Sequence, residues 1–135
     1  MTPNAAEQTL AFLLASDGRR HWYEGGYSLK FEIRRIAPTV ERPHGLRYSF
    51  TLHDPRGKRL VGFDNAHAVK TRRGRVRRGA VADHWHRNAN DRGRPYTFRN
   101  AEQLLDDFFA EVERVLTERG VPFDVVTDVD DRSQP

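Results

Sequence analysis

The chain has 135 residues, no cysteine, 31% charged residues and a formal net charge of +4; it is read as one domain with a modest core, without disulfides or thiolate zinc sites. No apolar run approaches the roughly 18 residues of a membrane-spanning helix, and the first twenty residues lack the features of a secretory leader, so a cytoplasmic protein is expected. Residues 1–99 hold 20 Lys and Arg against 9 Asp and Glu, whereas residues 100–135 hold 3 against 10; this suggests a polyanion, nucleic acid first, for the body and a basic partner or self-shielding for the end.

The first predicted element is a short helix, capped by Thr2 with Pro3 in its first turn. Its apolar face is Ala6, Leu10, Leu13 and Leu14, and it ends near "SDGRR". From Tyr27 the period changes to two: Tyr27, Leu29, Phe31 and Ile33 alternate with Ser28, Lys30, Glu32 and Arg34, as in a half-buried strand. "IAPTVERPHG" carries two prolines and is a loop. A second strand follows, with Leu46, Tyr48, Phe50 and Leu52 on one side and Arg47, Ser49, Thr51 and His53 on the other. "DPRG" is a type I turn into a third strand, "RLVGFDN". The run "KTRRGRVRRG" contains six cations, Lys70, Arg72, Arg73, Arg75, Arg77 and Arg78, and no acid; it is expected as a solvated basic loop or hairpin tip. "AVADHWHR" is a strand, "NANDRGRP" a turn-rich loop and "PYTF" a short edge strand.

The last helix has the strongest signature. Asn100 and Gln103 make a capping-box pattern, Leu104, Leu105, Phe108, Val112, Val115 and Leu116 form a stripe, and Gly120 with Pro122 ends it. Its other face is mostly acidic. The segment after Val121 is read either as one more short strand or as a tail that folds onto a partner. The expected fold class is α+β: an antiparallel meander of four to five strands, one face packed against the C-terminal helix, with a short N-terminal helix as a further cover. The other face stays open.

Strand geometry places His84 and His86 on one face and Trp85 on the other. Asp64, Asn65 and His67 lie in the segment expected to pair with them. One chemistry this allows is metal-free RNA cleavage, in which histidines exchange protons and Arg87 or Arg94 holds the phosphate. A second is a divalent metal site of His67, His84, His86 and a carboxylate. The plain alternative is a strand with solvent-facing histidines, a core tryptophan, and Asp64 and Asn65 as turn residues. Tyr96 is a candidate proton donor but reads more often as a core aromatic.

Taken in order, "RYSFTLHD", "GFDNAHAV", "DHWHR", "PYTF" and "AEQLLDDFFAEVERVL" resemble the TumE family, the toxin half of small toxin-antitoxin operons. The resemblance runs from about Tyr27 to Leu116. It divides the chain into an N-terminal extension (1–20), a TumE-like core (27–118) and an acidic tail (121–135). The family pattern falls on Asp64 and Asn65, on Asp83, His84 and His86, on Tyr96 and Phe98, and on Leu104, Leu105, Asp107 and Phe108. It departs at both ends and at Trp85, which is bulkier than the residue expected between the histidines. The resemblance implies a companion antitoxin with a helix-turn-helix or winged-helix DNA-binding domain, and RNA as the target by analogy with other small toxins. In that reading His84 and His86 carry proton transfer without a cofactor, and Asp83 or Asp64 orients an imidazole. Arg87, Arg94 and the cations of 70–78 hold phosphates. The rivals are a non-catalytic nucleic-acid-binding or transcription-factor-partner module and a His-ligated metal-dependent hydrolase.

Overall fold

A computed structural model describes residues 4–65 and 83–131. Its elements are α1 (Ala5–Ala15), β1 (Arg19–Trp22), a single 3₁₀ turn (Glu24–Gly26), β2 (Ser28–Arg35), β3 (Leu46–His53), β4 (Arg59–Asp64), β5 (His84–His86), β6 (Arg94–Pro95), α2 (Ala101–Glu118) and β7 (Thr127–Asp130). The strands form one antiparallel sheet in the order β6-β5-β4-β3-β2-β1-β7. The chain meanders from β1 to β6, and after α2 it returns to the opposite edge as β7. No helix among the described residues is long and apolar enough to cross a membrane.

The α+β class and the two helices agree with the sequence reading, but the sheet has seven strands rather than four to five. The two strands beyond that count pair with each other. β1 is four residues of intermediate burial, "RRHW", too short and too charged to display a period of two. β7 comes from the acidic tail and aligns Arg19 with Asp130 and Arg20 with Val129. Opposite charges then meet: Arg19 reaches Asp128 at 2.7 Å and Arg20 reaches Asp131 at 3.3 Å. Of the two readings of the tail, the structure has the strand, and its acids shield the chain's own arginines.

The caps also differ in detail. The Oδ1 of Asn4 accepts from the backbone N–H of Glu7 at 2.8 Å, and the Glu7 carboxylate accepts in return from the Asn4 N–H, so Asn4 caps α1. Thr2 and Pro3 lie outside the described residues. At α2, Asn100 accepts from the Gln103 N–H at 2.8 Å, but the Gln103 side chain donates to Asp107. The expected box is therefore half formed.

α2 lays Leu104, Phe108, Val112, Val115 and Leu116 against one sheet face, where Leu29, Phe31, Tyr48, Phe50, Leu52, Val61 and Phe63 meet them. Leu13 of α1 completes this core. Trp85 stacks on Phe63 with ring centroids 5.4 Å apart, so its strand neighbours His84 and His86 face away from α2. The pairs Ser49 with Asp64, Thr51 with Gly62, Gly62 with His86 and Asp64 with His84 share that outer face. Register also places Arg20, Lys30, Arg34 and Arg47 there.

His53, at the end of β3, is satisfied as a neutral ring: Nδ1–H donates to the Gly57 carbonyl at 3.2 Å and Nε2 accepts from the Thr51 hydroxyl at 2.8 Å. Burial, assisted by Arg20, Lys30 and Arg59, lowers its pKa below the ordinary 6.5 against the opposing pull of Gly57. Burial likewise lowers that of His21, despite Asp128 nearby. A lowered histidine pKa means that the unfolded chain binds the proton more readily. The stabilisation is full above 6.5 and is lost as pH falls through the folded value. Urea midpoints are expected to drop between about pH 7.5 and 5.5, with a shallower drop in His53→Gln; an equal drop in that variant contradicts the assignment.

Candidate functional site

The antiparallel pairing of β4 and β5 gathers Asp64, His84 and His86. His84 Nε2 lies 3.1 Å from Asp64 Oδ1 and His86 Nε2 lies 3.6 Å from Asp64 Oδ2, with all three side chains nearly buried. The ligand atoms of this group all fall within 4.8 Å of one another. Burial pushes the Asp64 carboxyl up, but the two imidazoles beside it outweigh that and leave its pKa well below the ordinary carboxylate range.

The loop after β5 holds the rings in place. His86 Nδ1 lies 2.8 Å from the Asp91 carbonyl, which can only accept, so Nδ1 carries the proton. The same carbonyl accepts from Arg59 Nη2. Asp91 itself winds the loop: its Oδ2 accepts from the Arg87 N–H and from Arg94 Nε, and its Oδ1 from the Gly93 N–H. These donors overcome partial burial and bring its pKa down to about 2. Gly93, at φ 120°, lies so close that a Cβ would sit 3.1 Å from the His84 ring and 3.2 Å from that of His86. A larger residue there would be strained and would displace both imidazoles.

Asp83 is placed elsewhere. Its fully buried carboxylate accepts from the Tyr48 hydroxyl at 2.7 Å and from His44 Nε2 at 2.9 Å, while His44 Nδ1 accepts from the Leu46 N–H. Burial, then the charge and hydrogen bond of Asp83, push the Tyr48 hydroxyl far above its ordinary pKa. Every donor in this clasp has an acceptor, and the His44 ring is covered by Phe98 at 4.0 Å.

Asn65 is also absorbed by the scaffold. Its side chain accepts from the Tyr48 N–H and donates to the Leu46 carbonyl, extending the β3 to β4 ladder by one residue. Tyr96 packs on Phe63 and donates to Asp107 at 2.6 Å, on the α2 side of the sheet. Arg94 lies over Trp85 and Arg87 is exposed at the end of β5. His67 and the cations Lys70, Arg72, Arg73, Arg75, Arg77 and Arg78 lie outside the described residues. The sequence reading thus brings together three of its named residues, Asp64, His84 and His86, and sends Asp83, Asn65 and Tyr96 to other duties. It did not single out His44, Arg59 or Asp91. Only the asparagine- and aspartate-rich turn around Asp91 carried any local signal.

Beside this cluster the outer face offers a hollow of about 490 Å³ lined in part by Asp17, Lys30, Glu32, Arg34, Arg47 and Ser49. Ser49, at its edge, is the register partner of Asp64. Compared with known families, residues 26–116 match the family model described as "Toxin TumE". No curated protein matches the chain, and no solved structure does.

Proposed function

The chain belongs to the toxin TumE family, and from that premise we propose that it is a toxin acting on RNA, with Asp64, His84 and His86 as its reacting centre. One observation carries this reading: the cluster lies on the sheet face that also bears Arg20, Lys30, Arg34 and Arg47. Arginine and lysine along a groove engage a phosphate backbone without reading its sequence. Arg59, which shares the Asp91 carbonyl with His86 and whose buried Nε has no hydrogen-bond partner among the described residues, is a candidate for a phosphate oxygen.

Scission would proceed by attack of a ribose 2′-oxygen on the adjacent phosphorus. The new 2′-O–P bond forms as the P–O5′ bond breaks, a base takes the 2′ proton, and an acid supplies one to the 5′-oxygen. Imidazoles that exchange those protons contribute roughly a hundredfold to ten-thousandfold each. If Asp64, His84 and His86 instead held a metal ion, they would serve as its ligands rather than exchange protons, and the ion would supply Lewis-acid chemistry at the phosphate. A companion antitoxin with a helix-turn-helix or winged-helix domain would silence the toxin.

The test is incubation of the purified chain with total RNA, with and without chelator, beside His84→Gln/His86→Gln. The wild type is expected to fragment RNA and the folded double variant to lose at least about a hundredfold of that rate. Salt-sensitive RNA binding without strand scission would instead establish a non-catalytic binding module, and equal fragmentation by both proteins would place the chemistry elsewhere.

A further inference from the structure

We propose that Asp64, His84 and His86 form a binding site for one divalent transition-metal ion, with the Asp91 carbonyl as the group that sets the tautomer of His86. Three observations converge on it. First, the Asp91 carbonyl holds a proton on His86 Nδ1, which leaves Nε2 facing the Asp64 carboxylate across 3.6 Å, longer than a hydrogen bond and able to admit a cation between them. Second, Asp64 Oδ1 is buried with no hydrogen-bond partner among the described residues, although His84 Nε2 stands 3.1 Å away. Distance without alignment fits two ligands aimed at a shared point better than a donor aimed at an acceptor.

Third, the spacing is near that of a coordination shell. An ion with four ligands at about 2.0–2.2 Å holds neighbouring ligand atoms about 3.3–3.6 Å apart, and the imidazoles here lie 3.1 Å from Asp64 Oδ1 and 3.6 Å from Asp64 Oδ2, with all three ligand groups within 4.8 Å of one another. The Asp83 clasp is the contrasting case. There the fold buries a carboxylate for structure and gives it two aligned donors, Tyr48 and His44. Asp64, almost as withdrawn from water, receives no such treatment on Oδ1.

Two imidazoles and one carboxylate suit zinc, iron or another borderline ion and leave at least one position open. The hydrogen bond from His86 to Asp91 is the outer-shell contact that metal-bound histidines usually make. His67 is not required by this donor set. The inference uses the location of the proposed reacting centre but not the identity of its substrate.

The experiment therefore omits RNA. The full chain is stripped with chelator, dialysed, and titrated with Zn²⁺ and Co²⁺ by calorimetry and visible absorption. A single ion per chain is expected, with the strong absorption of low-coordinate cobalt, a zinc-dependent rise in Tm, and affinity weakened more than about a hundredfold in His86→Gln and Asp64→Asn. Zinc-edge X-ray absorption of the wild type reads the ligands directly, whether or not the variants fold, and should show two imidazoles with at least one oxygen. No retained ion, a different ligand set, or unchanged affinity in both folded variants overturns the site. An ion bound as described without RNA decay would leave the site standing and remove the RNA reading.

Discussion

Phe108→Ala is expected to unfold the chain at markedly lower denaturant, with a loss of about 3–5 kcal/mol. Phe108 is fully buried on α2 and lies between 5.7 and 5.9 Å, centroid to centroid, from Phe31, Phe50, Phe63 and Phe109. These rings come from β2, β3, β4 and α2 itself, so truncation opens a void where the helix meets three central strands. The flanking elements cannot collapse into it without breaking strand register. A loss of this size is a large part of the roughly 5–15 kcal/mol that separates folded from unfolded domains. Phe109 gives the internal comparison: it is only partly buried and rests on Phe31, Phe108 and Phe123, so Phe109→Ala should cost clearly less. Urea midpoints of the two variants that coincide would show that Phe108 is not the keystone of the aromatic core.

Asp83→Ala should be comparably damaging, by about 3–5 kcal/mol, for an electrostatic reason. The carboxylate is fully buried, and its removal leaves the Tyr48 hydroxyl and the His44 Nε2 without their acceptor. An unpaired buried polar group costs about 1–3 kcal/mol, and here two are stranded in one variant. Tyr48→Phe, which deletes one donor and leaves Asp83 with His44, should cost about 1 kcal/mol or a little more. The pair also separates scaffold from chemistry. Asp83→Ala should lower stability while leaving metal affinity of the folded fraction unchanged, because Asp83 contacts Tyr48 and His44 and not His84 or His86. An Asp83 variant with normal stability and lost RNA scission would reverse that assignment.

Much of this fold is legible in the order of residues because the relevant forces are local. The alternation of Leu29, Phe31 and Ile33 and of Tyr48, Phe50 and Leu52 reports a strand with one wet side. The stripe from Leu104 to Leu116 reports a helix with one buried side. β1 escapes such a reading, and β7 is legible only as one of two options for the tail, because neither carries a repeating pattern long enough to see. Each exists through the other: the backbone of "RRHW" finds its partner in "TDVD" more than a hundred residues later.

The histidines of "DHWHR" show the same division at the level of chemistry. Alternation along the strand is enough to put His84 and His86 on one side and Trp85 on the other, and the charge asymmetry of the chain is enough to suggest a basic body whose acidic end meets either a basic partner or the chain's own cations. Which carboxylate meets the rings is a matter of register across two strands. Asp83, adjacent in sequence, points to the face where Tyr48 and His44 wait, whereas Asp64, twenty residues earlier, points to the imidazoles. The same holds for Asp91, whose carbonyl reaches His86 only because the loop turns back on itself through Gly93. Composition and periodicity decide which side chains can act; pairing decides which of them meet, because a strand's neighbours across the sheet lie only about 5 Å away whatever their separation along the chain.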